Sequence, residues 1–151
     1  IMPSLVGSEM CIRDSIAADR LIVVAAPGHP LADRDRELAA SDLKALDWAL
    51  REAGSGTRSE FEAALPRGMA ASDLKTALVL PSNEAILTAV AASAGDGGGL
   101  VTATSELAAR PLIEAGRLVR LPLELPERPF YRLRHRERGA SRAAEAFAAA
   151  L

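Results

Sequence analysis

Six consecutive apolar residues, Leu21 to Ala26, run straight into Pro27-Gly28-His29-Pro30, and this feature limits the fold more than any other in the chain. The run is far shorter than the roughly 20 apolar residues that span a bilayer. Its β-branched centre, Ile22-Val23-Val24, has no polar alternation. That pattern reads as a strand covered on both faces. The Pro-Gly and His-Pro pairs then stop it. Such a strand needs a layer on each side, so the rest of the chain has to supply helices as well as further strands.

The spacing of the remaining apolar residues supplies both. Ser41 to Leu46 reads as a short helix and Asp47 to Arg51 as a strand, followed by a turn at Ala53-Gly54-Ser55-Gly56. A helix is expected from about Arg58 to Leu65, with Phe61 and Leu65 on one face and Pro66 at its end. Thr76 to Leu80 is the next strand, and Asn83 to Ser93 a helix burying Ile86, Leu87 and Val90. Gly95 to Gly99 forms a flexible joint before a short strand at Leu100 to Thr102. A helical stretch near Glu106 to Ala115, a strand at Arg117 to Leu121 and a strand at Phe130 to Arg136 follow, with a proline-marked connection at Pro122 to Pro129. The last helix, Ala140 to Leu151, spaces Ala143, Phe147 and Leu151 to dock one face on a sheet. The 49% apolar share is carried largely by Ala and Leu with only 3% aromatic, which suits helices packed closely on small side chains.

Two helix starts carry what chemistry the residues offer. Thr57-Arg58-Ser59-Glu60 fits a capping box, in which hydroxyl and carboxylate satisfy the unpaired backbone N–H groups. It is either no more than a well-capped helix or, if Ser55 and Thr57 face a cleft, an anion site. Pro81-Ser82-Asn83-Glu84 directly follows an expected strand. Its free N–H groups would therefore sit where open α/β sheets bind ligands. Glu84 suits a first helical turn but would sit badly beside an anion.

Other motifs point away from chemistry. His29 belongs to a turn, and neither it nor His135 has metal-ligand spacing. Ser55 lies between Gly54 and Gly56 but lacks the second flanking glycine spacing of a nucleophile elbow, and Leu100 stands where a dinucleotide fingerprint needs glycine. Arg132, Arg134 and Arg136 would share one face of a strand, with Tyr131, Leu133 and His135 on the other, which reads as a solvated face rather than a DNA surface. The single cysteine, Cys11, permits no disulfide, and a net charge of -2 names no partner.

Three segments in order, Leu21 to Leu31 (LIVVAAPGHPL), Gly54 to Arg58 (GSGTR) and Ser82 to Val90 (SNEAILTAV), resemble the effector-binding domain of bacterial LysR-type transcriptional regulators. The resemblance covers about Ala17 to Leu151. It implies an α/β, type 2 periplasmic-binding-protein-like fold of two lobes, the first incomplete: residues 16–46 end lobe I, residues 47–129 form lobe II and residues 130–151 return to lobe I. By the same resemblance a small-molecule effector, anionic ones included, is held between the lobes by Ser82, Asn83, Ser55 and Thr57. No catalytic residue, cofactor or metal is implied. DNA would be reached only through a winged helix-turn-helix that this chain lacks, in a cytoplasmic homodimer or homotetramer without membrane contact. A periplasmic solute-binding protein of the same fold is the alternative. Where the family has a compact Gly-Leu-Gly turn, this chain has the longer joint Ser93 to Leu100. Separately, Leu5 to Ser15 (LVGSEMCIRDS) resembles a translated sequencing adapter, so residues 1–15 are set aside as a scar.

Overall fold

The computed structural model describes residues 11–95, 99–135 and 139–150. In chain order the elements are β1 (Cys11–Ala25), α1 (Ala40–Ala45), β2 (Asp47–Arg51), α2 (Gly56–Ala63), a 3-10 turn at Ala71–Asp73, β3 (Lys75–Leu80), α3 (Asn83–Ala92), β4 (Leu100–Ser105), α4 (Glu106–Glu114), β5 (Val119–Arg120), β6 (Glu127–His135) and α5 (Arg142–Ala149). They divide into two compact units, one made of Arg20–Glu127 and the other of Ile1–Asp19 with Arg128–Leu151. The sequence expectation drew its first boundary at Leu46. Packing draws it at Asp19, because Leu21 to Ala25 forms an inner strand of the Arg20–Glu127 unit.

In that unit the strands lie in the order β3-β2-β4-β1-β5. β2 runs parallel to both β3 and β4, whereas β1 is antiparallel to β4 and β5. β1 is thus buried on both faces because helices cover both, and not because its neighbours are parallel. Alternation along it sorts the core into two layers. Leu21, Val23 and Ala25 join Leu43, Trp48, Leu50, Phe61, Val101 and Leu121. Ile22 and Val24 join Ala49, Ile86, Leu87, Val90, Ala109 and Leu118. Each fully buried side chain of this kind contributes about 1.5–3 kcal/mol of transfer free energy. Trp48 anchors the first layer, its indole N–H donating to the Leu43 carbonyl at 2.9 Å and its ring centroid 4.8 Å from that of Phe61.

The expected helix burying Ile86, Leu87 and Val90 is α3. Residues 96–98 of the glycine joint lie outside the described residues, but its end is fixed. Gly99 has a φ of 72°, and the Ser93 hydroxyl both accepts from the Leu100 N–H at 2.8 Å and donates to the Val90 carbonyl at 2.8 Å. His29 holds its turn, its Nδ1 accepting from the Leu31 N–H at 3.2 Å.

In the other unit the structure adds to two expectations. α5 has no buried residue among those described, and Phe147 is 67% exposed, so the face expected to dock is left uncovered. Amphipathic spacing gives a helix a face without supplying the surface that covers it. On β6 the arginines are not simply solvated: Arg132 and Arg134 reach Asp14 at 2.8 and 3.6 Å, and Arg128 reaches the buried Asp19 at 2.7 Å. Hydrogen bonding from Arg132 holds the Asp14 carboxyl below its ordinary range. The large apolar side chains exposed on this strand are Phe130, Tyr131 and Leu133, with Arg13 stacked 3.4 Å over the Tyr131 ring. The partner acids come from β1, including residues 11–15 of the stretch set aside as a scar.

Candidate functional site

Because β2 is parallel to β3 and β4, the carboxyl ends of these three adjacent strands lie at one edge of the sheet. Each leads into a helix: β2 into α2, β3 into α3 and β4 into α4. The first backbone N–H groups of a helix have no intrahelical partner, so three sets of donors gather there. This edge is the candidate binding site.

The start of α3 is as the sequence indicated. Ser82 is its N-cap, its hydroxyl oxygen accepting from the Ala85 N–H at 3.1 Å, and Asn83 is the first helical residue. Both are half-buried, while Glu84 is exposed. The start of α2 is not as expected. Gly54 adopts a left-handed φ of 92° and the Ser55 N–H donates to the Glu52 carbonyl, so the chain turns early and Ser55 becomes the N-cap. Thr57 is therefore inside α2 and not its N-cap. Ser55 and Thr57 are 8% and 9% exposed, so their side chains present little surface. The third helix start, at Ser105, accepts from the Ala108 N–H at 3.3 Å.

One contact ties two of these starts together. Arg51, the last residue of β2, donates from Nη1 to the Asn83 amide oxygen at 2.7 Å. Its Nε and Nη2 donate to the Glu52 carboxylate at 2.8 and 3.0 Å. The Arg51 carbonyl in turn accepts from Arg58 Nη1 at 2.9 Å, and Arg58 pairs with Glu62 at 2.7 Å. Hydrogen bonding within the pair raises Arg51 above the ordinary guanidinium range and lowers Glu52 below the ordinary carboxylate range. Sequence reasoning missed Arg51, since an arginine ending a strand is ordinary until its partner is known. It also ended β4 at Thr102 and so missed Thr104 and Ser105. Thr104 pairs with Ile22 and shares its face of the sheet; its hydroxyl is buried without a hydrogen-bond partner among the described residues.

A surface groove of about 270 Å³ lies elsewhere, against the carboxyl-terminal half of α2, lined by Leu38, Leu43, Phe61, Leu65, Leu123 and Leu125. Its charged lining residues, Glu37 and Glu124, are both acidic, and it shares no residue with the strand ends. Recognition of a polar ligand follows the donors, so the strand ends remain the candidate.

The chain as a whole is similar to known proteins. The model of the LysR substrate binding domain family matches residues 8–151. The chain is 36% identical over 109 residues to the uncharacterized HTH-type transcriptional regulator MJ0300 of Methanocaldococcus jannaschii, covering 72% of this chain and 35% of that protein. It is 33% identical over 142 residues to the uncharacterized HTH-type transcriptional regulator YeiE of Escherichia coli K12, covering 93% of this chain and 45% of that protein. The chain thus spans less than half the length of these curated relatives. Among solved structures it is similar to the regulatory domain of CcmR from Synechocystis PCC6803 in complex with 2-PG, with a TM-score of 0.72, 27% identity, and coverage of 95% of this chain and 67% of that one.

Proposed function

This chain belongs to the LysR substrate-binding domain family, and from that premise we propose that it is the effector-binding part of a LysR-type transcriptional regulator. The observation that carries the reading is the gathering of the starts of α2, α3 and α4 at the carboxyl ends of three adjacent parallel strands. A small metabolite rich in hydrogen-bond acceptors, such as a carboxylate or phosphate compound, is the ligand such an edge suits. In this reading Ser82 and Asn83 contact it with their side chains, and the α2 start at Ser55 and Thr57 contributes mainly backbone N–H groups. The CcmR domain holding 2-PG supports a ligand of this chemistry.

The protein acts as a switch and not as an enzyme in this reading. An effector can shift a conformational equilibrium only by binding one state better than another, and that difference would set how the protein meets DNA. DNA contact belongs to a winged helix-turn-helix elsewhere in a longer protein, working in the cytoplasm as a homodimer or homotetramer. The Arg20–Glu127 unit corresponds to lobe II and the other unit to part of lobe I. Relatives that are HTH-type regulators favour this over a periplasmic solute-binding protein. Among the described residues no helix is long and apolar enough to cross a membrane.

A long sequencing read of the source DNA across the codons for Ser15 and Ile16 tests the reading. An upstream frame encoding a winged helix-turn-helix is the expected result. A secretory signal in that frame would sink the regulator assignment, and native sequence matching residues 1–15 would sink the scar.

A further inference from the structure

We propose that Arg51 is the positioning residue of the strand-end site: its guanidinium fixes the Asn83 carboxamide with the oxygen toward Arg51, so that the two Nδ2–H bonds are left for a ligand. The inference rests on the reading of the strand ends as the effector site.

Donor inventory decides the orientation. A guanidinium has five N–H donors and no acceptor, so the Asn83 atom 2.7 Å from Arg51 Nη1 has to be the oxygen. With the oxygen held toward Arg51 and one of its lone pairs taken, the two N–H bonds are the groups the Asn83 side chain turns away from Arg51. The Ser82 hydroxyl is constrained likewise: its oxygen already accepts from the Ala85 N–H, leaving its own hydrogen to donate. The polar hydrogens of Asn83, Ser82 and the backbone at the α3 start thereby remain for an acceptor group on the effector, with the exposed Glu84 carboxylate the acidic group of the same turn.

Arg51 is built to hold this geometry. Its planar fork grips the Glu52 carboxylate through Nε and Nη2 while Nη1 reaches a residue 32 positions along the chain. The side chain is 19% exposed, so the fork is not a loose surface pair. Glu52 offsets the charge, so the guanidinium acts on Asn83 through direction more than through field. A lysine at this position would keep the charge but could not span both partners with fixed angles.

Composition makes the test direct. Asn83 is the only asparagine of the chain, and there is no glutamine, so an ¹H–¹⁵N spectrum contains a single side-chain carboxamide pair. In the unaltered chain this pair should be rigid by heteronuclear NOE and should shift on titration with 2-PG or with inorganic phosphate. In Arg51→Met the NOE should fall toward that of a freely rotating amide, and the Kd for the same probe should rise about tenfold, as for one hydrogen bond of about 1.4 kcal/mol. Arg51→Lys should not rescue either, and it serves in place of Arg51→Met should that variant fail to fold, with native Trp48 emission as the check. A carboxamide equally rigid in the unaltered chain and both variants overturns the role of Arg51, while the titration still judges the strand-end site. A carboxamide that loses rigidity as expected but that neither probe shifts in the unaltered chain overturns the site itself, and with it any role of Arg51 in binding.

Discussion

Replacing Gly99 with alanine probes the joint that leads into β4. At a φ of 72° an L-residue pays for the left-handed conformation, about 1–2 kcal/mol. The added Cβ would also fall well inside contact distance of the Ser93 carbonyl oxygen, with the Ser93 hydroxyl oxygen at 2.8 Å and its carbonyl carbon at 3.0 Å. Two of those three atoms are backbone, so the clash is relieved only by moving the end of α3 away from β4. That movement breaks the hydrogen bond from the Leu100 N–H to Ser93, worth about 1 kcal/mol. The sum is about 3 kcal/mol. Gly28→Ala is the matched control: its φ is 81°, but nothing lies within 4 Å of a Cβ there, so it should cost only the conformational 1–2 kcal/mol or so. Urea unfolding followed by the emission of Trp48, the sole tryptophan and fully buried, measures both. If Gly99→Ala costs no more than Gly28→Ala at unchanged m-value, the close approach of Gly99 to Ser93 is not what fixes this joint.

Two further outcomes follow from burial and its absence. Burial holds His29 below its ordinary pKa of 6.5, and its Nδ1 accepts a hydrogen bond only while unprotonated; with the folded pKa below the unfolded one, its contribution is complete above about pH 6.5 and is lost as pH falls from there toward the folded pKa. Urea midpoints across that window should therefore drop more steeply for the unaltered chain than for His29→Asn, whose side chain can accept the same bond without titrating; parallel curves would refute this. Phe147→Lys, on a helix with no buried residue, should change stability by less than about 0.5 kcal/mol, and a loss above about 1 kcal/mol in the same unfolding assay would show that α5 docks as its spacing suggested.

What the sequence disclosed and what it withheld divide along the range of the interactions that decide each feature. β2 was legible at Asp47 to Arg51 and α3 nearly to its ends, with its buried set of Ile86, Leu87 and Val90, because period and punctuation are local. The start of α2 was misplaced by two residues since Ser55 and Thr57 are both acceptable N-caps, and the left-handed turn at Gly54 chooses between them. The division of the chain was misjudged because β1 runs on from Asp19 into the sheet core without any break in composition. Partnerships were the least legible of all: Asp14 with Arg132 is separated by 118 positions and Arg51 with Asn83 by 32, and no periodicity links either pair. The same limit explains why a candidate site could be named from the sequence before its hydrogen bonds could be read. Ser82 and Asn83 follow from a helix start after a strand, but which hydrogen-bonding groups they leave open depends on what already occupies the others. Once Arg51 bonds the Asn83 oxygen and the Ala85 N–H bonds that of Ser82, the hydrogens of these two side chains are the groups still without a partner there among the described residues. The chemistry this helix start can recognise is therefore set by contacts within the protein, before any ligand arrives.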